Sequence, residues 1–175
     1  MSSYGSHVNA LYHGYGLASF VGTDSEIVAY LMNYLLHAHG LGIEDAVRVL
    51  IGESPKYAGD GESLRLIRRF RWAMLDGPFA IVMGVYYNGD VYLIAMADRF
   101  KLRPLVIGMD DNYYYVASEE AAIRAVSPDA RVWTWSQVVT SSPRLGVALF
   151  RGVGLGRRLR SSSRIGPSQL MSVRM

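Results

Sequence analysis

Three kinds of residue in this sequence could do chemistry: a carboxylate at a helix start, a hydroxyl near the amino terminus, and four histidines. Asp24 lies in Thr23-Asp24-Ser25-Glu26, where a helix dipole favours an acid, and that local pattern by itself reads as structural. Ser2 would become an N-terminal hydroxyl nucleophile if Met1 were removed. His7, His13, His37 and His39 have poor metal-ligand spacing, because His37 and His39 are two apart and helical ligand pairs sit at i, i+4. No metal site is therefore expected. There are no cysteines, which excludes disulfides, thiolate metal sites and a thiol nucleophile.

The elements that must position these groups follow from periodicity. Thr23 can cap a helix while Glu26 reaches back to the Thr23 amide, the capping-box pattern. Ile27, Val28, Leu31, Met32, Leu35 and Leu36 then recur at helical spacing, and Gly40 offers a left-handed stop. Residues 1–21 show little periodicity and read as an irregular lead-in. Further helices are expected over Ile43–Ile51 and Glu62–Met74, with a loop from Glu53 to Gly61 between them and Arg65, Arg68, Arg69 and Arg71 on a wet face.

From Pro78 the period changes to that of strands. Phe79–Tyr87 and Val91–Ala97 flank Asn88-Gly89, a tight-turn signal, and Leu105–Gly108 and Tyr113–Ala117 flank Asp110-Asp111-Asn112, so two hairpins are expected. Ser118 should cap a short helix through Arg124, and Arg131–Trp135 should add a strand. Tyr86, Tyr87, Tyr92 and Tyr113–Tyr115 suit sheet packing better than base stacking. This order predicts one α+β domain with antiparallel sheet covered by helices.

Three segments, in order, resemble one family. Gly22-Thr23-Asp24-Ser25-Glu26-Ile27-Val28-Ala29-Tyr30 is similar to the helix-opening motif of class II glutamine amidotransferases. Leu75-Asp76-Gly77-Pro78-Phe79-Ala80-Ile81-Val82 looks like that family's strand before the central hairpin. Asp98-Arg99-Phe100-Lys101-Leu102-Arg103-Pro104-Leu105, followed by Tyr115-Val116-Ala117-Ser118-Glu119-Glu120-Ala121-Ala122-Ile123, resembles its Asp-Arg-x-x-Leu-Arg-Pro-Leu turn and Ala-Ser-Glu helix start. Phe100-Lys101 replaces the usual Asn-Gly, which implies a differently shaped turn.

The resemblance covers about Ser2 to Trp135 and is nearest to the stand-alone archaeal-type, glutamate synthase-like amidotransferases. It implies a partial αββα sandwich of the N-terminal-nucleophile hydrolases, and it implies that Asp24 receives the α-ammonium of glutamine. The cysteine nucleophile and Asn-Gly oxyanion loop of the family lie upstream of the Asp24 motif, so no catalytic residue is expected here and the chain alone should be inactive. The resemblance also places Ser2 in mid-domain, against a nucleophile's role. The expected partners are glutamine and a Cys-bearing amidotransferase half or glutamate synthase subunits; no cofactor is expected. The alternative is a non-catalytic binding or structural module.

Charge divides the chain unevenly: residues 1–129 hold all 15 acids against 10 Lys or Arg, and residues 130–175 hold 8 Arg and no acid. The expected organisation is an amidotransferase half over 1–135 and an Arg-rich tail over 136–175. The tail reads as an arm for acidic partners, as a disordered extension or as the product of a changed reading frame. Nucleic-acid binding is not expected, although Arg157, Arg158, Arg160 and Arg164 cluster, and Gly152-Val153-Gly154-Leu155-Gly156 lacks the context of a nucleotide loop. No segment has the length and apolarity of a membrane span or the pattern of a secretory signal, which leads to an expected cytoplasmic location. Separating the halves of a sandwich should expose a sheet edge and favour oligomers.

Overall fold

The computed structural model describes residues 3–52, 61–98, 100, 102–134, 147–152 and 173–174. The chain divides into two compact units, Met1–Gly77 and Pro78–Met175. Among the described residues the first is helical and the second holds every strand, so the fold is α+β.

The helical unit runs α1 (Tyr4–Tyr15), α2 (Asp24–Asn33), α3 (Ile43–Leu50) and α4 (Gly61–Arg69). The apolar spacing that predicts α2 buries Ile27, Val28, Leu31 and Met32, and a π-turn over Tyr34–Ala38 extends it to bury Leu35 and Leu36 before Gly40 turns left-handed at φ 65°. The expected helix over Glu62–Met74 is shorter, ending at Arg69 and passing into a 3-10 turn over Arg71–Ala73. The predicted loop at 53–60 lies outside the described residues.

α1 corrects the expectation of an irregular lead-in. It is a 12-residue helix closed by Gly16 at φ 70°, and its two buried residues, His7 and Leu11, are an i, i+4 pair. The weak apolar pattern reflects a polar residue at a core position. His7 is 1 % exposed and its Nε2 donates to the Trp72 carbonyl at 2.9 Å. On the other ring edge Ser3 Oγ lies 3.2 Å from Nδ1 and donates to Asp76 Oδ1 at 2.6 Å, while the Ser3 N–H reaches the same oxygen at 3.0 Å. Burial pushes the His7 pKa below the usual imidazole value, outweighing the pull of the Trp72 carbonyl and the Asp76 charge.

The strand unit begins with the expected hairpin, β1 (Ala80–Tyr87) and β2 (Asp90–Ala97), paired from Ala80↔Ala97 to Tyr87↔Asp90. Asn88 and Gly89 take positive φ, 51° and 86°, as a mirror-image two-residue turn requires. The second hairpin is β3 (Val106–Met109) with β4 (Tyr114–Ala117), and β5 (Arg131–Thr134) pairs on the far side of β3. α5 (Glu120–Val126) follows β4, with Glu119 rather than Ser118 at its N-cap and no side-chain cap bond. Part of the predicted tail is strand: β6 (Val147–Gly152) pairs antiparallel with β2, and a two-residue β7 (Val173–Arg174) pairs parallel with β6. The remainder of 136–175, with the clustered arginines, lies outside the described residues.

Two sheets result, in the orders β1-β2-β6-β7 and β4-β3-β5. They pack face to face through Ala95 and Ala97 of β2 against Leu105 and Ile107, with Tyr114, Val116 and Trp133 around them. The other face of the smaller sheet packs Val106 against Ile123 of α5 and Ala130. At Gly108 a Cβ would lie 2.9 Å from Ile123 Cγ2 and 3.4 Å from the Arg131 carbonyl. Gly108→Val is therefore expected to destabilise the strand unit by about 2 kcal/mol through overpacking, visible as a lower denaturant midpoint with unchanged slope; an unchanged midpoint would mean α5 is not held this close.

Among the described residues no helix is long and apolar enough to cross a membrane.

Candidate carboxylate site at the start of helix α2

The local sequence Ser19–Tyr30 places two carboxylates at the positive end of α2 and gives them different surroundings. Thr23 caps the helix as expected, its Oγ1 accepting the Glu26 N–H at 3.3 Å. Glu26 does not close the expected capping box on the Thr23 amide. It reaches further back, accepting the N–H groups of Phe20 at 2.8 Å, Val21 at 3.1 and 3.2 Å and Gly22 at 3.0 Å, with the hydroxyls of Ser19 at 2.6 Å and Tyr30 at 3.1 Å. Gly22, at φ 74°, supplies the reversal that points these three amides inward.

A carboxylate offers about four lone-pair directions, and five donor groups take up those of Glu26. The Ser19 hydroxyl first, then the Phe20 amide, bring its pKa down to about 2, so Glu26 is ionised at neutral pH and has little capacity as a base. It is a brace for the loop entering α2. Asp24, at the first position of the helix, is exposed. Phe20 and Val21, exposed at 84 % and 72 %, flank the same loop.

The other sequence candidates are not gathered here. His7 is buried in its own network, His39 is half-buried against Tyr34 and Phe70, and His13 and His37 are exposed. Among the described residues no three His, Cys, Asp or Glu could hold a metal ion. Ser2 is outside the described residues. The tyrosines split as sheet residues do, Tyr114 toward the core between the sheets and Tyr115 toward the α5 side, with Tyr86 and Tyr113 exposed.

In the strand unit, the Asp98 turn of the motif is built on a buried carboxylate. Asp98 is 4 % exposed and accepts the N–H groups of Phe79 at 3.3 Å, Phe100 at 3.0 Å and Leu102 at 3.0 Å. In the sequence Asp98 stands out only as part of a motif. A signal was present, since Asp side chains commonly accept backbone amides two or more residues on.

The chain is similar to an uncharacterized protein of Archaeoglobus fulgidus, with 32 % identity over 146 residues; the match covers 77 % of this chain and 36 % of that protein. The chain thus spans well under half the length of that curated relative. No protein-family profile matches the chain. No solved structure matches it.

Proposed function

We propose that these residues form part of a class II glutamine amidotransferase domain of the glutamate synthase-like kind, in which Asp24 holds the α-ammonium of glutamine. The observation that carries this reading is the placement of Asp24, exposed in the first turn of α2 behind a loop that Glu26 braces. A charge-assisted bond from an ammonium to an ionised carboxylate is among the stronger hydrogen bonds available for such a task. The layering of the strand unit supports the same reading. Two sheets face each other, α5 covers the smaller one, and the C-terminal half of β2 is buried on both faces, Ala95 and Ala97 on one and Ile94 and Met96 on the other. Facing sheets with a helix on the outer side of one are compatible with a partial αββα sandwich.

Hydrolysis of the glutamine amide needs an activated nucleophile and donors for the oxyanion. With no cysteine among the 175 residues, the thiol must come from a Cys-bearing amidotransferase half, and glutamate synthase subunits are the proposed users of the ammonia. The same lack of cysteine favours a second reading, a non-catalytic module that binds through Asp24 without turnover.

The test is an amide-resolved NMR titration with L-glutamine and with its analogue lacking the α-amine. Glutamine should shift the Gly22–Ser25 amides saturably at roughly millimolar levels, the analogue should not, and Asp24→Asn should abolish the response. Equal responses to both compounds would remove the ammonium role of Asp24. Ammonia release on adding a Cys-bearing half separates the catalytic reading from the module.

A further inference from the structure

Among the described residues, β1 is an edge strand with β2 on one side only. Its eight residues contain no charge and no proline, the usual devices that keep an edge from pairing. In an antiparallel pair every second residue directs its N–H and C=O to the neighbour and the rest direct theirs away, so half of the β1 ladder points outward. The face that β1 shares with the core is also bare. Val82 is 48 % exposed, Tyr86 71 %, and Val91, which pairs with Tyr86, 55 %, whereas Ala95 and Ala97 on the same face of β2 are fully buried.

We propose that this edge is closed by the same edge of a second copy of the chain, β1 pairing antiparallel with β1 about a two-fold axis through Gly84. The sequence of the strand selects that register. Directly opposed residues share a face, so even-numbered positions must meet even-numbered ones for the two core faces to stay on one side. With Gly84 opposite its own copy, Val82 meets Tyr86 of the partner copy and Tyr86 meets Val82, so each exposed apolar side chain covers another. On the other face Ile81 meets Tyr87 and Met83 meets Val85. Moving the axis to Met83 would set Val82 against Gly84 and leave it open. A neutral strand brings no like charges together when it meets itself, and an aromatic–β-branched cross-strand pair is a favourable one. Aromatic side chains bury about 150–250 Å² each, so two tyrosine–valine pairs and two strand backbones come near the roughly 1,000 Å² of a small specific interface. A weak dimer follows. It does not depend on the amidotransferase reading.

The lack of cysteine makes the register directly measurable. In the full chain, Val82→Cys mixed with Tyr86→Cys should form a disulfide-linked dimer, because opposed Cα atoms lie about 4.5–5.5 Å apart and a disulfide spans about 4.4–6.8 Å. Val82→Cys alone should cross-link poorly, its two copies being four residues apart along the ladder, about 13 Å. Sedimentation of the unmodified chain should show a dimer forming between about 1 and 100 µM, and Tyr86→Lys should weaken it about tenfold or more. A monomer throughout that range, equal cross-linking by Val82→Cys alone, or an unchanged Tyr86→Lys dimer would overturn the proposal.

Discussion

Asp98→Ala is expected to lower the stability of the strand unit by about 3 kcal/mol, the largest single-residue loss anticipated outside the apolar core. One buried carboxylate holds three backbone amides: Phe79 before β1, and Phe100 and Leu102 after β2. The Asp98 N–H also donates to the Phe79 carbonyl at 3.0 Å, so the side chain and main chain of one residue close the open end of the hairpin. Alanine removes the acceptor and leaves three donors, each costing about 1–3 kcal/mol if it finds nothing. Water can reach part of this loop, since Phe100 and Leu102 are themselves exposed, which keeps the sum toward the low end. Asn, which keeps one acceptor oxygen, should lose roughly half as much. Chemical denaturation of the two variants is the measurement, and an Asp98→Ala midpoint equal to that of the parent would show that the turn is held by other contacts.

Acid is expected to loosen the entry to α2, with Glu26 as the responsible group. Its pKa falls from 4.5 to about 2 on folding, so the folded state binds fewer protons than the unfolded state between those values. The stability it contributes is complete above about pH 4.5 and is lost as pH falls toward 2. Glu26→Gln should remove that dependence and lower stability at neutral pH, because an amide cannot accept from five donors as a carboxylate does. His7 has the same sign in a higher window. Its folded pKa lies below 6.5, so the helical unit should begin to weaken once pH drops beneath that value. In the strand unit Asp110, held well below the ordinary carboxylate range by the Tyr115 hydroxyl first and then by the Asn112 amide, should act only at still lower pH. Thermal melts followed at helical and aromatic wavelengths from about pH 2 to 7 would separate the steps, and identical acid midpoints for the parent and Glu26→Gln would remove Glu26 from this role.

The elements that were legible in the sequence are those whose determinants are local. Asn88-Gly89 requires two positive φ values, and a strand on either side of it can only fold back. Thr23 and the apolar spacing from Ile27 to Leu36 specify a capped, core-facing helix without reference to the remainder of the chain. Composition alone removes the thiol, and the Asp24 motif, through its resemblance, names the carboxylate proposed to meet an ammonium.

What only the tertiary structure decided depends on partners distant in sequence. α1 is a helix because His7 finds the Trp72 carbonyl 65 residues away and Ser3 finds Asp76 73 residues away, and no window around residues 1–21 contains those acceptors. Val147–Gly152 reads as part of a basic tail until β2 offers it a ladder from Val91 to Met96. Glu26 and Asp24 look equivalent as acids in a first helical turn; the reversal at Gly22 wraps one in amides and leaves the other exposed. Hydrogen-bond donors and strand edges must be satisfied by whatever the folded chain brings near, so their assignments belong to the fold, whereas turn geometry and helical period are properties of a few consecutive residues.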